Sequence, residues 1–556
     1  MTDPTTPDPV TPDPVTLAVL QARFTAIVEE MGEALLRTAY SQILNASRDF
    51  SIALCDAGAR LVAQADHLPV HVGAMPYAVR AVLDGVGARP RPGDIFLVND
   101  PWHGGSHLPD MTVVVPVFGE DGTLRFWSVV RAHMSDIGGA THGAYNAAAT
   151  DIWQEGIRVP PIRLGEDGVV REDLLAMLAA NTRLPRDFRG DMLAAVGAAR
   201  LGGKRLGEAF ARHGAARVSA AGEAILALSE ERARAILATW REGTWRAEAR
   251  LDDDGRGNDD VTIRAAVTVG GGRVAVDLSE SDPQVASFVN SSYANMRSAV
   301  AIAFAYLLDP DIPKNDGVFR LLDVTARQGT VAWAAEGAPV TLCTNHSGQE
   351  ILEAVLLAMA NACPERAMAG WGKRFRIAIT GRDPRRGRPF VWHLFHARPG
   401  GGASPAGDGW PCAGEWGVVG GIKFGSVEMA EARFPLFFER HEIHPGSGGD
   451  GTHRGGPGGL ATIRVESEGP SVGNTAGDGA RHGVTGMAGG APGAPHRYVL
   501  RAPDGTERVL RTKETGIPIP AGAVLDLRAG GGGGWGPPEG RDPAARRRDA
   551  EEGFTA

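Results

Sequence analysis

The chain has 556 residues, 43% hydrophobic and 22% charged, the balance of a globular protein with about two to four domains. A net charge of −9 without any basic stripe argues against nucleic acid or an anionic membrane as partner, and no apolar run reaches bilayer length. The four cysteines (Cys55, Cys343, Cys363, Cys412) are scattered with no CxxC pair, which fits small buried hydrophobes in a reducing cytoplasm.

The N-terminus repeats a TPDP theme and lacks an apolar h-region, so the expectation is a proline-rich tail over 1–15 and no secretory signal. Leu17, Leu20, Phe24, Ile27, Val28, Met31 and Leu35 then recur at three- and four-residue steps, the pattern of an amphipathic helix. Asp49 to Cys55, a turn at Asp56-Ala57-Gly58, and Arg60 to Gln64 form a hairpin with Asp49 at its mouth. His67 and His71 lead into a short helix reaching about Leu83, and Ile95 to Val98 is a compact apolar strand.

The stretch NDPWHGGSHLPDMTVVVPVFGEDGTLRFWSVVRAHMSD, Asn99 to Asp136, carries most of the chemistry. Pro101 and Gly104-Gly105 are turn chemistry, and Met111–Phe118 and Thr123–His133 are the two strands of a second hairpin. Pairing Phe118 with Thr123 places Asp110 opposite Arg131 and His133 diagonal to Asp110, roughly 7–8 Å away on the same face. His107 enters from the preceding turn. Two histidines and an aspartate so placed suit a divalent ion; they suit equally the solvated mouth of an ordinary hairpin.

From Asp173 to about Trp245 the pattern is helical, punctuated by Pro185, Gly190 and a break at Gly202-Gly203. Strands are expected at Val261–Val269 and Arg273–Leu278, and helices at Ser292–Leu308 and from Glu350 to about Ala362. From Arg376 onward the chain is β-rich, with glycine clusters around 400–402, 446–449, 455–459 and 530–534. None has the P-loop or dinucleotide pattern, and they read as tight turns between strands. The expected fold class is α+β and multidomain, with helices and antiparallel hairpins first and a glycine-rich β part last. Its domains are expected over 16–245, 246–430 and 431–540, with a charged tail helix over 541–556.

Several segments together resemble one family, the hydantoinase B/oxoprolinase family. They are DPVTLAVLQARFTAIVEEMGEALLRTAYS, SRDFSIALCDAGARLVAQADHLPVHVGAM, NDPWHGGSHLPDMTVVVPVF, RAHMSDIGG, TDIWQEGIRVPP, LLDPDIPKNDGVFR, FERHEIHPGSGGDGTHRGGPGG and AGGGGGWGPPEGRDP, in order along nearly the whole chain. The resemblance implies a divalent metal, Zn or Mn, held by His107, Asp110 and His133 with Asp49 as fourth ligand. His67, His71, Asp100, His103 and Asp136 lie in the same segments and are expected to line the site or support the ligands. It also implies a hetero-oligomer with a separate ATP-binding subunit of hydantoinase A type, carrying ATP and Mg. That partner would phosphorylate a small-molecule substrate, whose activated form then reaches the metal of this chain. Cyclic-amide hydrolysis of hydantoinase or oxoprolinase type is the first reading and ketone carboxylation of acetone or acetophenone type the second. A non-catalytic scaffold is the third, and the intact ligand set argues against it. Two departures bear on substrate class: Cys343-Thr344-Asn345-His346-Ser347-Gly348-Gln349 replaces a Gly-Asn-x-Glu-Thr-Ser type segment, and Met134 stands where many members have a second histidine.

Overall fold

The structure is a computed structural model that describes residues 12–65, 67–85, 89–418 and 423–555. The expected tail over 1–15 therefore lies outside the described residues up to residue 11. Asp13 already caps helix α1 (Pro14–Thr38), accepting from the amides of Val15 and Thr16 at 3.0 Å, with Pro14 at the first helical position. The predicted stripe of α1 is buried from Leu20 through Leu35.

Seven strands form one antiparallel sheet: β1 (Phe50–Asp56), β2 (Leu61–Ala65), β3 (Ile95–Val98), β4 (Asp110–Phe118), β5 (Leu124–His133), β6 (Ile162–Glu166) and β7 (Val169–Val170), in the order β2-β1-β5-β4-β3-β6-β7. The β4–β5 register differs from expectation by two residues. Phe118 pairs with Leu124 across a five-residue loop, and a bulge at Arg125 then pairs Val117 with Phe126. Asp110 thus faces His133 directly, and Thr112 faces Arg131. A two-residue shift preserves the face, so the side chains stay together.

Helices α2 (Pro185–His213) and α3 (Ala215–Leu237) join α1 on one side of this sheet. The predicted break at Gly202-Gly203 is absent, and α2 runs through it. Gly202 is there for packing: a Cβ on it would strike Ser128 Oγ and Met31 Sδ, where α2 crosses β5 and α1. The chain breaks instead at Gly214, at φ +82. The predicted helical stretch to Trp245 ends at Leu237, and Gly243–Arg250 is a strand. That strand starts a four-stranded sheet with Thr262–Gly270, Arg273–Asp277 and Leu322–Thr325. Helices α4 (Tyr293–Tyr306) and α5 (Ser347–Met359) are packed against each other beside it. The four cysteines are free, with Cys55, Cys343 and Cys363 buried.

Beyond residue 374 two further sheets, of four and five strands, enclose a second apolar core that includes Phe375, Trp392, Ile463, Leu525 and Leu527. Gly446, at φ +68, sits in a turn as expected, but the other three glycine clusters are not turns between strands. Gly400–Gly402, Gly455–Gly456 and Gly530–Gly534 run alongside one another outside the sheet ladders and hydrogen-bond backbone to backbone. Gly400 N–H donates to Gly530 O at 3.0 Å, Gly456 to Gly401 at 2.8 Å and Gly532 to Gly456 at 2.9 Å. A Cβ on Gly400 would fall inside the carbonyl of Gly456, and one on Gly532 inside that of Gly401. Close backbone approach, not positive φ, demands glycine there. The molecule is α+β, with helices and several antiparallel sheets.

Two glycines give opposite expectations. Gly400→Ala meets a backbone that has no room to retreat and should cost about 3 kcal/mol or more. Gly197, exposed on α2 with open space around it, should gain up to about 1 kcal/mol as alanine through helix propensity. Thermal melting of the two variants, one Tm falling and the other rising, checks both signs.

Candidate metal centre

Strand pairing builds the site. Asp110 and His133 are cross-strand partners on β4 and β5. On the other flank of β5, Phe50 pairs with Ala132, and His133 N–H donates to Asp49 O at 3.1 Å, so Asp49 continues the same row. Asp49, His133 and Asp110 therefore stand side by side on three adjacent strands, at the strand spacing of about 4.8 Å. The next row along is Ser51, Arg131 and Thr112. All lie on the sheet face away from α1 and α2.

His107 comes from the loop before β4, which is held from several sides. Asn99 Nδ2 donates to Leu108 O at 2.7 Å and to Ile157 O at 2.9 Å. Arg131, fully buried, reaches Gly104 O at 3.0 Å and Ser106 Oγ at 3.3 Å and holds Thr112 Oγ1 at 2.9 Å. Gly104 turns the loop at φ +83. From above, Ser292 Oγ at the N-cap of α4 donates to Ser106 O at 2.7 Å.

His107, Asp110 and His133 present ligand atoms within 4.8 Å of one another, all buried. His107 Nε2 lies 3.0 Å and His133 Nδ1 3.2 Å from Asp110 Oδ1. His71 Nε2 lies 3.1 Å from Asp110 Oδ2, which Ser106 Oγ also bonds. The hydrogens can be assigned by chemistry. His107 Nδ1 bonds the Thr341 carbonyl, which can only accept, so a neutral His107 carries its hydrogen there and turns a lone pair toward the carboxylate. Burial lowers the His107 pKa and favours that neutral form. In the same way Ser51 Oγ donates to Leu68 O at 3.0 Å and so accepts from His71 Nδ1 at 3.2 Å, leaving His71 Nε2 facing Asp110.

Acceptors therefore face acceptors: His107 Nε2 has no geometrically sound hydrogen bond, and neither has the buried Asp49 Oδ1. This is the arrangement a cation satisfies. The gathered donor set, two imidazoles and one carboxylate with Asp49 next in the row, suits a divalent ion such as Zn or Mn. Burial opposes ionisation of Asp110, yet the imidazoles of His107, His71 and His133, whenever they carry the extra proton, hold its carboxyl well below the usual range. Burial likewise opposes a charged His133, but Asp49 and Asp110 together raise its pKa.

The five residues expected around the site divide. His71 belongs to it. His67 packs on the ring of Phe50 at 4.5 Å and against Gly32, away from the cluster. His103 is 45% exposed and pairs with Asp100 at 2.8 Å. Asp100 caps the turn at Trp102 N and bonds Arg158 Nε at 2.8 Å. Asp136 is spent on Gly138 N, Arg183 N and the Arg183 guanidinium at 2.9–3.4 Å. These four support loops.

Sequence reading missed residues that reach the site from far along the chain. Tyr145, Thr344, Asn345, Arg374 and Arg376 line one cavity with Asp49, His71, His107 and His133. Glu155 holds the segment that orients His107, accepting from Val340 N at 2.8 Å and Thr341 N at 3.0 Å. The substituted segment at 343–349 gave the one local signal; the others carry none, because only the folded chain brings them near.

A family model described as hydantoinase B/oxoprolinase matches residues 13–538. The beta subunit of caprolactamase from Pseudomonas jessenii is 33% identical over 551 residues, covering 97% of this chain and 94% of that one. The crystal structure of ATP-dependent caprolactamase from Pseudomonas jessenii superposes with a TM-score of 0.91 at 31% identity, over 98% of this chain and 95% of that one. The nucleotide-free structure of acetone carboxylase shares the fold, with a TM-score of 0.87 at 20% identity over 98% of this chain and 78% of that one. Matched over almost its whole length, the chain belongs to the hydantoinase B/oxoprolinase family.

Proposed function

We propose that this chain is the metal-binding subunit of an ATP-dependent cyclic-amide hydrolase, acting in the cytoplasm on a substrate that a partner ATPase subunit has phosphorylated. The observation that carries the reading is the buried convergence of His107, Asp110 and His133, with Asp49 in the same row, in a chain of this family. The similarity to a caprolactamase beta subunit along both chains supports a lactam-type substrate over a ketone. Ketone carboxylation is the second reading, and what favours it is the shared fold with acetone carboxylase.

The ligands would be Asp49, His107, Asp110 and His133, with His71 bonding the outer oxygen of Asp110. A divalent ion held there supplies Lewis acidity and brings the pKa of bound water to about 7. The chain's own part is orientation and exclusion. The Thr341 carbonyl fixes the His107 ring, Ser51 fixes His71, and Ser106 and Arg131 hold the Asp110 carboxylate in place. Burial of the whole set keeps bulk water away, so that an activated amide meets a water positioned by the site rather than by solvent.

Phosphorylation is assigned to the partner because most amides of the glycine runs are already spent. Those of Gly400, Gly449, Gly456, Gly532 and Gly533 are bonded to carbonyls of the chain itself, whereas a phosphate loop needs free N–H groups.

Three outcomes are expected. His107→Ala in the reconstituted complex should lower product formation by about 10³-fold, roughly 4 kcal/mol of barrier. Substrate-dependent ATP consumption by the partner should persist, and the variant should melt as a folded chain. Unchanged turnover in a folded variant would count against a catalytic ion. Chelation should abolish product formation, and added Zn or Mn should restore it. The purified chain alone should not hydrolyse ATP; turnover by this subunit without a partner would remove the two-subunit scheme. Assaying cyclic amides beside ketones with bicarbonate separates the two readings.

A further inference from the structure

Beside the metal centre lies a cluster of charge that ligand chemistry alone does not explain. Arg374 and Arg376 are 5% and 1% exposed and line the same cavity as the proposed ligands. Arg374 spends its donors on Ala476 O at 3.0 Å and Tyr145 Oη at 2.8 Å, with its guanidinium over the Tyr145 ring. Arg376 bonds Phe375 O at 2.9 Å through Nη1 and stacks over Phe395. Its Nη2, buried, has no acceptor at all. Two carboxylates act on these cations: Asp49 on Arg374, and Glu415, 1% exposed, which lies 3.3 Å from Arg376 Nη1 with neither oxygen in a well-formed hydrogen bond. Arg398, also buried, acts on the same carboxylate. A buried guanidinium with an unspent donor, on the wall of the cavity that holds the proposed ligands, is a place for a further anion.

We infer that Arg376, with Arg374 beside it, anchors the phosphoryl group of the activated substrate next to the metal centre. The inference rests on the proposed function, since it takes the substrate to arrive phosphorylated. A phosphate ester carries about −1.5 to −2 charge near neutrality and three strong acceptor oxygens, which matches the unspent donor of Arg376 and its planar fork. An anchored phosphoryl group places the adjoining carbon beside His107 and His133, which line the same cavity, and keeps the leaving oxygen within reach of a guanidinium as charge develops on it. The free space among these side chains is about 10 Å³, room for one water-sized group. A phosphoryl group is larger than this space, so binding it requires the lining side chains to move apart. Glu415 is the counter-ion that holds the arginines when no substrate is bound.

The test uses the full chain loaded with Mn, inorganic phosphate as probe, and two readouts. Electron paramagnetic resonance reports Mn binding, and ³¹P relaxation reports phosphate close to it. Wild type should enhance ³¹P relaxation well beyond free Mn or the Zn-loaded chain. Arg376→Gln should keep Mn binding and weaken phosphate binding about tenfold or more, with Arg376→Lys recovering part of it. Thermal melting checks each variant; if Arg376→Gln does not fold, Arg374→Gln takes its place with the same expectation. Bound Mn without phosphate enhancement in wild type, or equal enhancement in folded Arg376→Gln, overturns the proposal. So does bicarbonate binding there with phosphate excluded. Should wild type bind no Mn, the metal reading fails by itself. Calorimetric titration of phosphate into wild type and Arg376→Gln then still decides: a tenfold difference upholds the anchor, and no difference overturns it.

Discussion

Asp110 is a carboxylate with no solvent exposure, and desolvation of such a charge costs several kcal/mol unless its surroundings repay it. The Ser106 hydroxyl, the bond from His133 and the nearby charge of Arg131 do part of this, and a cation between Asp110 and the facing imidazoles would do the rest. Each of these groups must in turn be held. Arg131 therefore crosses the sheet face to hold the 104–106 loop, Asn99 ties that loop to the 157–159 segment, and Ser292 closes it from α4. The contacts around the site keep one buried carboxylate ionised and the lone pair of His107 turned toward it.

The part of this that local sequence displays is the part made by neighbours in the chain. The α1 stripe, both hairpins and the strand at Ile95–Val98 are legible because their periods are two or three-to-four residues. His107, Asp110 and His133 were legible together because one hairpin carries all three. The register was not, since the five-residue loop and the bulge at Arg125 leave no signature that alternation alone reveals. Asp49 came from family likeness; its place beside His133 depends on β1 pairing with β5, a long-range choice that no residue near Asp49 encodes.

Glycine illustrates the same limit. Gly202-Gly203 reads as a helix break by propensity, about 1 kcal/mol per residue, but burial against Met31 and Ser128 outweighs it. The runs at 400–402, 455–459 and 530–534 read as turns because turns are the commonest use of glycine. Their real constraint is mutual: each needs glycine because another glycine backbone lies against it. Such a constraint is written across three segments far apart in the chain and is invisible in any short window of it.

The order of supports around His107 shows why remote residues matter to chemistry. Glu155 accepts from the amides of Val340 and Thr341, which sets the peptide whose carbonyl takes the Nδ1 hydrogen of His107. That hydrogen bond decides which nitrogen of His107 faces Asp110, and so whether the site offers a lone pair or a proton. Rotating the ring would place N–H against the carboxylate, satisfy Asp110 with a proton, and leave nothing for a cation to do. A buried acid some distance from the ligands thus selects metal-ligand chemistry over an ordinary hydrogen-bonded core, and it does so through one backbone carbonyl.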